Sequence, residues 1–258
     1  MIGSHACALD VLPGLTLSVP GRHVIEKCCV RMKKTISVIQ SNYLPWIGYF
    51  SMVAASDVFV VYECVQYTKN DWRNRNLIHV GGGNPVWLTV PVRHERSDQL
   101  FRETRVANHN WAGKHFNALN HAFARTRNWH IKRDELKALY DEAGKMDLIH
   151  EINRLFLGWV FRELGVTAKI EYLESYPQLG SPTERLVAIL KERGATRYLS
   201  GPAASSYLED TCFERENISL EYVDYETLIS EHFSGPRPFP AVSMIQVILE
   251  GAYEFKGH

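Results

Sequence analysis

The chain has 258 residues, enough for one large α/β domain or one domain carrying a helical insertion. Hydrophobic residues make up 45% and charged residues 22%, a balance that excludes an intrinsically disordered chain. The 29 basic side chains equal the 29 acidic ones, so the bulk positive charge of a nucleic-acid binder is absent, and no apolar run reaches the roughly 20 residues of a membrane span. Five cysteines form no CxxC pair, and three precede residue 30, which points to a reducing cytoplasm rather than a disulfide framework.

Residues 1–31 show no sustained period and are punctuated by Pro13-Gly14 and Pro20-Gly21. Met32-Lys33-Lys34-Thr35 then runs straight into a strand, as a natural start would. The leader is therefore expected to be a dispensable extension. It is not read as a signal peptide, because no basic region precedes its apolar stretch and no A-x-A-like site follows.

From there the β-branched run Ile36–Gln40 predicts a strand, Trp46–Ala55 a helix with Pro45 at its entry, and Val58–Tyr62 a second buried strand. Strand, helix and strand within about 27 residues form a βαβ unit with parallel pairing. Ligands of such sheets sit beyond the carboxyl ends of the strands, where Gln40–Tyr43 and Glu63–Asn76 fall. Asn76–Val80 and Val86–Val90 flank Gly81-Gly82-Gly83-Asn84-Pro85, a hairpin signal, and a short strand is expected near Glu103–Val106. Helical spacing predicts Trp111–Ala124, Lys132–Ala143 and Asp147–Leu164, a helical insertion over about 109–164. Strands follow at Ala168–Tyr172, Arg197–Leu199 and Ile218–Val223, with helices from the Ser181–Glu184 capping box to Arg193, from Pro202 to Leu208, and over Val242–Glu250. The expected fold is α/β and Rossmann-like, a mostly parallel sheet with a β-hairpin and a helical insertion, in one domain from residue 32 to 258.

Lys69, Arg73 and Arg75 alternate with Asn70, Asn74 and Asn76 beside Tyr67 and Trp72. Guanidinium forks hold phosphate or carboxylate, amides both donate and accept, and aromatic faces stack on rings. The expected partner is therefore an anionic small molecule, although the same arginines would also suit pairing with Asp57, Glu63 or Asp71. Replacing Arg73 or Arg75 with Ala is expected to abolish binding while barely moving the thermal midpoint. The first loop, Gln40-Ser41-Asn42-Tyr43-Leu44-Pro45-Trp46, would present backbone donors at a helix N-terminus, and Ser200-Gly201 opens a second such junction. Gly48 allows something to approach the first turn closely. No GxGxxG, P-loop, GxSxG or HExxH pattern occurs, and His109, His115 and His121 scatter around their helix, so no metal is expected. Cys64 reads as a small buried hydrophobe sooner than a nucleophile.

The run Ser37–Phe50 resembles the opening of the WbqC-like proteins, as do Val65–Asn76, Trp87–Val92, Thr183-Glu184-Arg185, Tyr198–Ala204 and Tyr207-Leu208. The resemblance spans roughly Lys33 to Gly251 and implies a bacterial protein of surface-polysaccharide (O-antigen) assembly. Departures occur at Glu63-Cys64, where that pattern is acidic, at Gln246, where Ser-x-x-Asp is usual, and over His121–Trp129. The implied activity is a transferase using a nucleotide-activated sugar or an acyl or aminoacyl donor. In it Lys69, Arg73 and Arg75 clamp the donor, Asn42, Asn74 and Asn76 orient the acceptor, Tyr43, Trp46 or Trp72 stacks on a ring, and Asp71 or Glu63 serves as general base. Two alternatives stay open: a nucleotidyltransferase-like enzyme, although the first loop lacks the histidine pair of that class, and a non-catalytic sugar-binding subunit. No cofactor is indicated.

Overall fold

A computed structural model describes residues 33–80, 83–177, 180–236 and 240–257. The leader over 1–31 and the Gly81-Gly82 turn lie outside the described residues. In chain order the elements are β1 (Thr35–Gln40), α1 (Ile47–Ala54), β2 (Val58–Tyr62), β3 (Arg75–Val80), β4 (Asn84–Thr89), α2 (Trp111–Phe123), α3 (Arg127–Ala143), α4 (Ile149–Leu164), β5 (Lys169–Leu173), α5 (Pro182–Glu192), β6 (Arg197–Ser200), α6 (Asp210–Arg215), β7 (Ser219–Tyr222), α7 (Tyr225–His232), β8 (Phe233–Ser234), α8 (Met244–Glu250) and β9 (Glu254–Phe255).

Five strands form one parallel sheet in the order β5-β2-β1-β6-β7. Each strand of that sheet is followed by at least one helix, which is what parallel neighbours require of their connections. Residues of β2 alternate between two apolar layers: Phe59 and Val61 face the larger core, Val58 and Val60 the smaller one under α5 and α6. A strand buried on both faces reads as an unbroken apolar run, hence VFVVY. The fold is thus α/β and Rossmann-like, with the hairpin β3-β4 as a separate antiparallel pair.

Between β2 and β5 come that hairpin and the helices α2, α3 and α4. α3 begins five residues earlier than the apolar spacing suggests, because the Thr126 hydroxyl caps it by accepting from the Trp129 backbone N–H at 3.2 Å. β4 likewise starts at Asn84 rather than Val86, since pairing runs from Arg75–Thr89 up to Val80–Asn84. The short strand expected near Glu103 is instead a 3-10 turn, Phe101–Glu103, followed by single bridges at Arg105 and Val106. The capping box at Ser181 and Glu184 forms as expected. Pro202–Ser206 is a 3-10 turn, shorter than the helix its sequence suggests.

The last helix returns to the first loop. Ser243 donates its hydroxyl to the Leu44 carbonyl at 2.8 Å, and the Met244 N–H reaches the Pro45 carbonyl at 2.8 Å. Gln246 accepts from the His79 backbone N–H at 2.8 Å, so α8 grips β3 as well. Among the described residues no helix is long and apolar enough to cross a membrane.

Candidate functional site

A cleft of about 760 Å³ opens beyond the carboxyl ends of β1 and β6. There the strand order turns from one side of β1 to the other, the crevice where open α/β sheets take their ligands. Gln40, Asn42, Asp71, Trp72, Ser200 and Gly201, all expected at the site, line it. A smaller chamber of about 290 Å³ shares Asn42 and Trp72 with the cleft and adds Trp46 and Asn76.

The other expected site residues lie elsewhere. Tyr43 is buried, edge-on to Trp111 and Phe156, with its hydroxyl 3.0 Å from His115 Nδ1 and 3.3 Å from the Tyr140 hydroxyl. A ring sealed in this way stacks on the core, not on a substrate. Glu63 is also fully buried, and Arg154 donates from Nε to its two carboxylate oxygens at 3.2 and 3.0 Å. Arg154 also holds Glu174 at 2.7 Å and lies 4.6 Å from the Tyr172 ring centre. Burial pushes the Glu63 carboxyl up, and the hydrogen bonds from Arg154 offset this only in part.

Nor do Lys69, Arg73 and Arg75 form one clamp. Lys69 is exposed and does not line the cleft. Arg73 is buried and donates to Asp71 and to Gln40, so its fork is filled by its own chain. Arg75 donates to the Asn70 carbonyl at 2.6 Å and covers Trp87, 4.5 Å from the ring centre. The amide of Asn74 donates to the Val90 carbonyl at 2.9 Å and accepts from the Tyr67 hydroxyl at 3.1 Å. That of Asn76 donates to the carbonyls of Tyr43 and Leu44 at 3.2 and 2.7 Å, holding the first loop where Leu44 takes a φ of 47°. These asparagines replace missing backbone partners, a need that arises wherever a buried loop leaves carbonyls unpaired.

At the entry to α1, Trp46 bridges to Ser243. Gly48 admits the Trp46 indole: a Cβ there would sit 2.3 Å from the ring. Cys64 borders the cleft, and burial raises its thiol, which leaves little thiolate at neutral pH. Among the described residues, no group of three His, Cys, Asp or Glu converges as a metal site would require.

Arg185 is the guanidinium that does line the cleft, from the first turns of α5, with one nitrogen tied to the Gly180 carbonyl at 2.8 Å. Tyr207 also lines the cleft and is 65% exposed. Sequence reasoning passed over both as ligand groups, though each sits in a stretch that carries the resemblance.

A WbqC-like protein family model matches residues 40–253, all but a few residues of the sheet and its helices. The chain belongs to the WbqC-like family. This WbqC-like protein is also 36% identical over 194 residues to an uncharacterized protein of Mycobacterium tuberculosis, covering 75% of this chain and 83% of that one. No solved structure matches it. Two residues singled out in the sequence have structural roles: Glu63 anchors Arg154, and Gln246 joins α8 to β3.

His115, beneath Tyr43, gives the WbqC-like protein an acid sensitivity. Burial lowers its imidazole to about 4, against a weaker raising effect of the Thr89 backbone. The unfolded chain therefore binds a proton near pH 6.5 that the folded chain refuses until about pH 4, so the stability His115 contributes is complete above 6.5 and lost as pH falls through that window. Thermal melts across pH 4 to 7 are expected to fall toward acid, and His115→Gln is expected to flatten the slope.

Proposed function

We propose that this WbqC-like protein is a transferase that binds a nucleotide-activated sugar in the cleft between β1 and β6. The observation that carries this reading is the place of the cleft, at the reversal of strand order, with a size inside the roughly 300–1,000 Å³ of small-molecule sites. Arg185 suits a phosphate oxygen, Gln40 and Ser200 line the floor, and Trp72 offers an aromatic face. In the transfer, an acceptor hydroxyl oxygen bonds to the anomeric carbon as that carbon's bond to the diphosphate oxygen breaks. The nucleoside diphosphate leaves with the electron pair, and the hydroxyl proton passes to Asp71. Surface-polysaccharide assembly is the setting the resemblance implies and a reducing cytoplasm the one the cysteine pattern suggests, and among the described residues Cys64 and Cys212 are free thiols.

One observation favours a second reading. Asp71 is already ion-paired with Arg73, and Glu63 is fully buried and does not line the cleft. A binding subunit without turnover has no need of either base. Calorimetric titration with uridine, guanosine and thymidine diphosphate sugars separates these readings. Binding is expected with at least one of them, weakened about tenfold by Arg185→Ala, the worth of one charge-assisted contact. Absence of heat with all of them overturns both readings, and binding without turnover in the presence of acceptor selects the second.

A further inference from the structure

The smaller chamber has walls of a different kind from the cleft. Trp46, Trp72, Pro45 and Ala241 form its apolar lining, the Trp46 indole packing also over Gly48 and on Tyr225, and Asn42 and Asn76 supply the amides. Asn76 is spent on the first loop, as its donors already meet two backbone carbonyls. The half-buried Asn42 amide has no hydrogen-bond partner among the described residues, and it borders both spaces. Trp72 is shared as well, and it is 47% exposed although a tryptophan of that size is ordinarily covered. It leans on Trp87, itself 46% exposed, with ring centres 5.7 Å apart and planes 34° from parallel. Arg75 also lies over Trp87, its guanidinium carbon 4.5 Å from the ring centre. Two exposed indoles therefore lead in a step away from a chamber whose volume of about 290 Å³ lies at the lower limit for small-molecule sites.

We propose that this chamber is an acceptor subsite that takes one pyranose ring of a saccharide, stacked on Trp72, bordered by Trp46 and oriented by Asn42, with the exposed part of Trp87 beside the next ring. The axial C–H face of a pyranose carries partial positive hydrogens that complement the negative face of an indole. Its vicinal hydroxyls each donate and accept, which is what a free carboxamide answers with one oxygen and one NH₂. A nucleobase would also stack, but the stepped pair Trp72–Trp87 suits successive rings of a chain, and the diphosphate-binding guanidinium Arg185 lies in the cleft and not here. The subsite rests on the transferase reading for its role, since Asn42 and Trp72 stand where cleft and chamber meet.

Ala241 lines the chamber alone and is exposed, so Ala241→Trp fills the space without disturbing the core. The probes are methyl glycosides of glucose, galactose, mannose, rhamnose and N-acetylglucosamine, with maltose and cellobiose as two-ring probes and free uridine as the base control. Binding is followed by tryptophan fluorescence and by ligand-detected saturation-transfer NMR. At least one glycoside is expected to bind, and Ala241→Trp and Asn42→Ala are each expected to weaken it at least about tenfold. Ala241→Trp should leave nucleotide-sugar affinity in the cleft within about twofold. Trp87→Ala is expected to weaken the two-ring probe and spare the one-ring probe. Nucleotide-sugar binding with no response to any glycoside overturns the subsite and leaves the transferase reading standing. Glycoside binding that Ala241→Trp does not touch, or uridine competing for the chamber, overturns it as well.

Discussion

Glu63→Ala is expected to lower stability by about 3 kcal/mol, the lower end for a broken buried pair, because Arg154 loses its buried partner but keeps Glu174. The carboxylate is wholly buried, Arg154 is three-quarters covered, and together they tie β2 to α4. Burial works against both charges: it raises the Glu63 carboxyl and lowers the guanidinium, and the paired carboxylates Glu63 and Glu174 more than restore Arg154. Each charge is thus tolerated because of the other. At about 2–4 °C per kcal/mol for a domain of this size, the thermal midpoint should fall by about 6–12 °C. Glu63→Leu combined with Arg154→Met should recover most of the loss, since a matched apolar pair needs no desolvation. A double variant as unstable as the single one would show that shape, not charge, holds this contact.

Arg73→Ala is expected to cost about 3 kcal/mol, the lower end for a broken buried pair because Asp71, 31% exposed, can rehydrate. This reverses what the sequence suggests for Arg73, namely lost binding with an unmoved midpoint. Here the guanidinium spans from Asp71 to Gln40, joining the polar loop after β2 to the end of β1, and its backbone carbonyl accepts from Asn153 at 2.9 Å. Arg73→Lys should be nearly as damaging, because one ammonium cannot reach both acceptors as a planar fork does. Ligand affinity should fall through the released Gln40 and Asp71, which both face the cleft. Thermal melts read beside calorimetry check this: an unchanged midpoint with lost binding would restore Arg73 as a direct ligand contact.

Much of the frame was legible because it rests on local chemistry. Alternation of β-branched residues marks β1 and β2, and Ser181 with Glu184 writes the start of α5. α6 escaped notice because six residues leave too little room for a helical period, and Cys212 and Phe213 are its only buried side chains. α7 was readable from Asp224, whose carboxylate accepts from the N–H groups of Glu226 and Thr227, but its apolar stripe is short. The site divided along another line. Sequence displays which groups can bind, not which neighbour has already claimed them. Asn74, Asn76 and Arg73 belong to chemistries suited to ligands and are taken by carbonyls, a hydroxyl and a carboxylate tens of residues away or next door. Asn42 kept its amide free, and nothing in its immediate sequence distinguishes it from them.

The clasp between α8 and the first loop carries a consequence for how the molecule comes into being. Ser243 and Met244 hold Leu44 and Pro45 across about two hundred residues of chain, so this loop is synthesised long before the partners that fix it. Until the final helix leaves the ribosome, the carbonyls of Leu44 and Pro45 lack those partners, and the walls that Pro45 and Trp46 give the smaller chamber have no backing. The smaller chamber therefore gains its backing only after α8 has been made.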